Sequence, residues 1–153
     1  MDEAKYALLK AEVEDICEQI NQIYARIEER HSEFGSRTEN LDSMGYQLHN
    51  LYCAFEQVFE IIAQFFENNI AGERYHTDLL RRMRLTIEGI RPACISEEAF
   101  TLLDELRRFR HFFRHAYLTE LEFDKLAHLV KVGKKLRVVF QRDRQQFFEK
   151  LKP

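Results

Sequence analysis

Residues 6–27 read YALLKAEVEDICEQINQIYARI, and their spacing decides the fold class. Tyr6, Leu9, Val13, Ile16, Ile20, Ile23 and Ile27 stand alternately 3 and 4 residues apart. That alternation keeps one stripe apolar along a helix with a period of about 3.5 residues. Glu12, Glu14, Asp15, Glu18, Arg26 and Glu28 fall on the other faces. Phe34 extends the stripe, and Gly35 is a candidate C′ residue to stop it. A helix over about residues 3–34 is predicted.

Outward from this helix, Gly35 to Asn40 reads as a polar link. A second helix is predicted over about 41–68, with a wider apolar face that includes Met44, Leu48, Leu51, Phe55, Phe59 and Ile62. A wide face means contact with more than one neighbour. After Gly72, a shorter helix is predicted over about 75–87, and Gly89 to Pro92 reads as a turn. Ser96 is a candidate N-cap for a fourth helix running to about Tyr117, with Glu97 and Glu98 against its positive end. Thr119 and Glu122 have capping-box spacing and are expected to open a fifth helix reaching about Leu151. The expected fold is all-α, an up-and-down antiparallel bundle of four long helices and one short one.

Composition agrees. The chain has 153 residues, enough for one domain, and only 5 Gly and 2 Pro, too few for the turns of an all-β sandwich or barrel. At 45% hydrophobic it is too apolar for a disordered chain. No run approaches the roughly 20 apolar residues needed to span a bilayer, and Met-Asp-Glu-Ala-Lys at the start has no apolar run behind it. Cys17, Cys53 and Cys94 are far apart and odd in number, so neither a disulfide framework nor a metal knuckle is read from them. Reduced thiols in a cytoplasmic protein are expected. Cys94, in a turn, is a candidate for exposure.

Charge is unevenly placed. Residues 1–100 carry 10 Lys and Arg against 19 Asp and Glu, a balance of −9. Residues 101–153 carry 13 against 7, a balance of +6. A basic last third on an acidic body fits a face that meets an anion such as nucleic acid, and equally two well-solvated helices.

The densest polar cluster is Arg107-Arg108-Phe109-Arg110-His111-Phe112-Phe113-Arg114-His115-Ala116-Tyr117. Guanidiniums grip phosphate through paired N–H donors, and histidine gives and takes protons near neutral pH. Together they can cleave a phosphodiester without a metal. The imidazole moves the proton of an attacking hydroxyl, and the guanidinium holds the developing phosphorane charge. A basic solvated face with two incidental histidines has the same composition.

Arg110, His115 and Tyr117 stand in the order Arg-x4-His-x-Tyr, which resembles the signature of HepT-like toxins of the HEPN superfamily. The likeness extends over Tyr75 to Met83, Gly89 to Ala93, Ile95 to Glu98 and Leu103 to His111, so that about residues 75–123 carry it. The resemblance implies a small helical ribonuclease acting on RNA as a homodimer. Arg110 and His115 would form a metal-independent catalytic pair gathered from both subunits, with no cofactor. It further implies that Tyr117 receives AMP from a minimal nucleotidyltransferase antitoxin. His111 stands where such ribonucleases usually carry a small polar residue. Arg108 with His115 also satisfies a longer spacing, so Arg108, His111 and Arg114 are an alternative register or support. On an ideal helix Arg108, His111 and His115 share a face, whereas Arg110 and His115 are about 140° apart.

Two other readings stand beside this one. Glu28-x-x-His31 and Glu73-x-x-His76 have the spacing of di-iron bundles, with Glu56, Glu60 or Glu67 as bridging partners. Both fall at predicted helix ends, which disfavours a metal site. A non-catalytic helical module that binds a nucleotidyltransferase partner or RNA would use the aromatic load around Phe109 to Phe123 as an interface. His49, His76 and His128 read as surface or packing residues.

Overall fold

In the computed structural model, residues 1–66, 72–116 and 118–153 are described, and five helices account for most of them. Helix α1 spans Glu3–Arg30, α2 Thr38–Phe65, α3 Tyr75–Met83, α4 Glu97–His115 and α5 Phe123–Leu151. Outside the helices, the one β-type pairing among the described residues is an isolated bridge between Ile87 and Arg91. The all-α bundle read from the sequence is the observed architecture.

The predicted stripe of α1 faces inward. Leu9, Val13, Ile16, Ile20 and Ile27 are buried, joined by Cys17 and Tyr24, while Tyr6 and Ile23 pack at its margins. Asp2 caps the helix by accepting from the Lys5 N–H at 2.8 Å. The helix stops at Arg30, four residues before the expected end. The Glu33 carbonyl accepts from Ser36 Oγ and Asn40 Nδ2, so the link satisfies its backbone locally and turns early. Phe34 still reaches the core, its ring centroid 4.9 Å from that of Phe123. Gly35 is therefore not the helix stop. It is the place where the Phe123 ring approaches so closely that an added Cβ would meet it at 2.6 Å.

Helix α2 is the centre of the bundle. It packs against every other helix, which is what its wide apolar face requires. The α1–α2 and α4–α5 seams are the most extensive, and α1 meets α5 least. Two polar side chains, Gln47 and Glu56, are buried on α2 among its apolar residues.

Helix α3 ends at Met83, also four residues early. The buried Arg91 guanidinium explains the stop. It donates to the carbonyls of Arg82, Leu85 and Pro92, occupying acceptors that further helix would have used. Gly89, at φ +76°, makes the tight return that the Ile87–Arg91 bridge closes. Cys94 is buried beneath this loop rather than accessible, and burial pushes its thiol up to about 12.

Ser96 is the N-cap of α4, as expected, accepting from the Ala99 N–H at 3.2 Å. It is tied to α5 as well, because Asp143 accepts from both Ser96 N and Oγ at 2.7 Å. Ser96→Ala removes the cap and one partner of a buried carboxylate. It should cost about 1–2 kcal/mol and lower the melting temperature by several degrees in calorimetry.

The expected capping box does not form. Thr119 lies in the crossing between α4 and α5, and Glu122 is the N-cap of α5 without a side-chain cap bond. The crossing is pinned by Leu121, which fills the space Gly45 leaves on α2; a Cβ there would meet Leu121 at 2.5 Å. Packing of one leucine thus overrides the local capping signal.

Candidate functional site on helix α4

Three inward residues, Leu103, Leu106 and Phe109, anchor α4 on the core. Their positions dictate where the polar cluster points. Arg110 and Phe113 lie half-buried towards α2, while Arg108, His111, Arg114 and His115 are exposed.

On the outer face, His111 and His115 have ring centroids 4.7 Å apart, the i, i+4 pairing expected of the alternative register. Arg108 sits one turn back on that side. Asp104 holds it through Nη2 at 3.1 Å and accepts from Arg107 Nη2 at 2.8 Å. On the inner side, Arg110 Nε donates to Cys53 Sγ at 3.4 Å. Among the described residues no hydrogen bond or ring contact joins Arg110 to His115. The structure brings His111 and His115 together and turns Arg110 to the neighbouring helix.

That neighbour supplies a group the sequence reading set aside. His49 of α2 has its Nε2 3.8 Å from Cys53 Sγ, the atom that receives Arg110, and its ring lies 5.2 Å from that of Phe113. Burial lowers the His49 pKa; the Asn50 side chain opposes this, and the Arg110 and Arg114 charges add to the lowering. An imidazole kept neutral beside two guanidiniums is a competent proton acceptor. Following His49 by NMR should give a titration midpoint below 6.5, rising towards the ordinary value in Arg110→Ala. An unmoved midpoint would mean that the two groups do not face each other. Because the folded pKa is depressed, this group contributes stability above the ordinary histidine value, and that contribution is lost as pH falls from there through the lowered folded value. Single-sequence periodicity gave no signal for His49, since α2 and α4 meet only in the tertiary fold.

A second polar group lies deeper in the same α2–α3–α4 corner. The buried Glu56 carboxylate accepts from His76 Nδ1 at 2.8 Å, and Tyr75 donates to Glu60 at 2.8 Å. His76 is therefore a packing residue with a charge partner. His128 is exposed and pairs with Glu105 at 2.7 Å. Two of the bridging carboxylates considered for a di-iron centre are thus engaged by α3, and Glu67 lies outside the described residues. Among the described residues no three His, Cys, Asp or Glu side chains gather as metal ligands. Tyr117 also lies outside the described residues. Helix α4 ends at His115, two residues short of the expected end, and Ala116 has left helical geometry at φ −94°, ψ 55°. No described helix is long and apolar enough to cross a membrane.

Comparison with curated proteins and with solved structures finds no match. A family model described as HepT-like protein matches residues 43–151. That span reaches from α2 through α5 and so exceeds the 75–123 stretch whose residues carry the resemblance. It covers well over half of the 153 residues, and membership suggests a ribonuclease of the HEPN kind in a toxin–antitoxin setting. The chain belongs to the HepT-like family.

Proposed function

We propose that residues 1–153 form one HepT-like domain, the toxin of a toxin–antitoxin pair, which cleaves RNA in the cytoplasm without a metal. The observation that carries this reading is the gathering of four arginines and two histidines on the last turns of α4 in a HepT-like chain. Arg110 and His115 are the proposed catalytic pair, with Arg108, His111 and Arg114 as support or alternative register.

The chemistry follows from the groups. His115 accepts the proton of a ribose 2′-hydroxyl, whose oxygen attacks the adjacent phosphorus. Guanidinium donors hold the two non-bridging oxygens as charge builds. The bond to the 5′-oxygen breaks, that oxygen takes a proton from a second imidazole, and a cyclic phosphate and a free 5′-hydroxyl result. Within one chain Arg110 and His115 face different sides of α4. A second copy placed across a two-fold axis supplies the missing partner, so the active form is a homodimer. Light scattering should show a dimer at assay concentration. A fully active monomer would overturn the composite site.

Silencing is assigned to AMP addition at Tyr117 by a minimal nucleotidyltransferase antitoxin. The test of the whole reading is cleavage of RNA by the purified chain in EDTA, with His115→Ala as control. RNA binding without cleavage by either protein would leave the non-catalytic interaction module as the function.

A further inference from the structure

Between α1 and α5, over Phe55 of α2, a pocket of about 260 Å³ opens. Its floor is Phe55 and Phe140, packed edge to face at 4.9 Å. Arg137 and Arg144 border it from α5. Seven residues apart, they fall on one side of the helix, about 10 Å from each other.

Three observations make this more than a crevice. First, no carboxylate lines the pocket, and neither arginine has a salt-bridge partner among the described residues. The α1 acids lining the flanking depressions, Glu14 and Glu28, are engaged by Lys10 at 3.8 Å and Lys134 at 3.6 Å. The lining itself therefore carries two guanidiniums and no carboxylate over an apolar floor, with Glu149 of α5 bordering the depression beyond Arg144. Second, the Arg137 guanidinium lies 4.9 Å from the centroid of the Tyr24 ring. Tyr24 is itself fixed, its hydroxyl donating to the Gly133 carbonyl at 2.6 Å. Arg137 is exposed, and a guanidinium seated over an aromatic ring leaves its far side open to a planar base. Third, Arg144 is half-buried and shares the lining with the Cys17 thiol and the amides of Gln141 and Asn21, so one charged fork and two amides border the same space.

We propose that the α1–α5 pocket binds a nucleotide, its phosphate held by Arg144 and its base stacked on the Arg137–Tyr24 pair. The volume suits a single nucleotide unit, since it falls just below the roughly 300 Å³ at which drug-sized pockets begin. The same chemistry is presented by a free mononucleotide and by one residue of an RNA strand. The flanking depressions share Asn21, Tyr24 and Arg137 on one side and Gln141 and Arg144 on the other, so a strand has room to continue along the seam.

The test is binding of AMP, adenosine and a short oligoribonucleotide to the full chain, followed by calorimetry or fluorescence anisotropy. AMP should bind about tenfold or more tightly than adenosine, because only AMP engages the Arg144 fork. Arg144→Gln should erase that margin, with Arg144→Lys retaining part of it. Arg137→Gln should weaken AMP and adenosine alike. Thermal unfolding of each variant separates loss of a ligand contact from loss of the fold. The titrations are made on the His115→Ala chain, so that the oligoribonucleotide is not cut and its dependence on Arg137 and Arg144 is read apart from cleavage at α4. If the oligoribonucleotide shows the same arginine dependence, the ligand is a strand; if AMP alone shows it, the ligand is a free nucleotide. AMP binding indifferent to both arginines, or no binding by AMP and oligoribonucleotide alike, overturns the site.

Discussion

Purified His115→Ala protein should cleave RNA at least about 10²-fold more slowly than the parent chain, and Arg110→Ala should lose a comparable factor. Neither change should unfold the bundle. His115 is exposed at the last residue of α4, its ring beside that of His111. Arg110 is half-buried, yet its one side-chain hydrogen bond among the described residues goes to a thiol, a weak acceptor. Far-ultraviolet circular dichroism should therefore match the parent in both variants. Chelation with EDTA should leave the rate intact, since in the proposed mechanism imidazole and guanidinium do the work that a metal would do. The arginine comparison separates the two registers. Arg108 is held on the outer side by Asp104 and lies on the face of His111 and His115, whereas Arg110 turns to Cys53 and His49. If Arg108→Ala destroys activity and Arg110→Ala spares it, the outer face is the catalytic surface. If both are needed, two copies of α4 contribute different faces to one site. Retention of full activity by His115→Ala would remove the imidazole from the mechanism in either register.

The fold was legible where burial repeats with helical period. The α1 stripe and the wide face of α2 are continuous patterns, and tertiary packing had only to confirm which side is inward. Two boundaries moved where a single side chain from outside the helix takes over. Arg91 captures the carbonyls that would have prolonged α3, and Leu121 seats itself over Gly45 and delays α5. Neither event leaves a periodic trace. The polar cluster on α4 was legible for the opposite reason, being contiguous and hard to reconcile with a core stripe. Its inner partners were not. Cys53 and Arg110 are 57 residues apart in the chain and meet only because α2 and α4 pack. His49 reads as an ordinary helical histidine until Phe113 and Arg110 are set against it. Glu56 did carry a sign, a carboxylate inside an apolar face between Phe55 and Val58, which a buried partner such as His76 accounts for.

Co-expression with a cognate nucleotidyltransferase, with ATP and magnesium, should add one AMP to Tyr117 and reduce cleavage to the level of the His115→Ala protein. The chain itself sets the range of the effect. Tyr117 follows the last residue of α4 by two, and two residues of chain span no more than about 7 Å. A group attached there begins within reach of His115 and of the exposed Arg114. Helical register with Arg110 does not apply, because Ala116 has already left the helix. Inhibition therefore rests on proximity and charge. A phosphodiester-linked AMP would add a negative charge and a purine at the mouth of the proposed site on α4. It offers the arginines of α4 an anion that is covalently present at high effective concentration, against RNA that must arrive from solution. Tyr117→Phe has no hydroxyl to modify and should stay active in the presence of the nucleotidyltransferase. Intact-mass spectrometry reads the addition directly, and peptide mapping places it. A silenced complex with unmodified Tyr117 would show that the partner inhibits by docking. A modified chain that still cleaves at the parent rate would show that residue 117 lies away from the path of RNA.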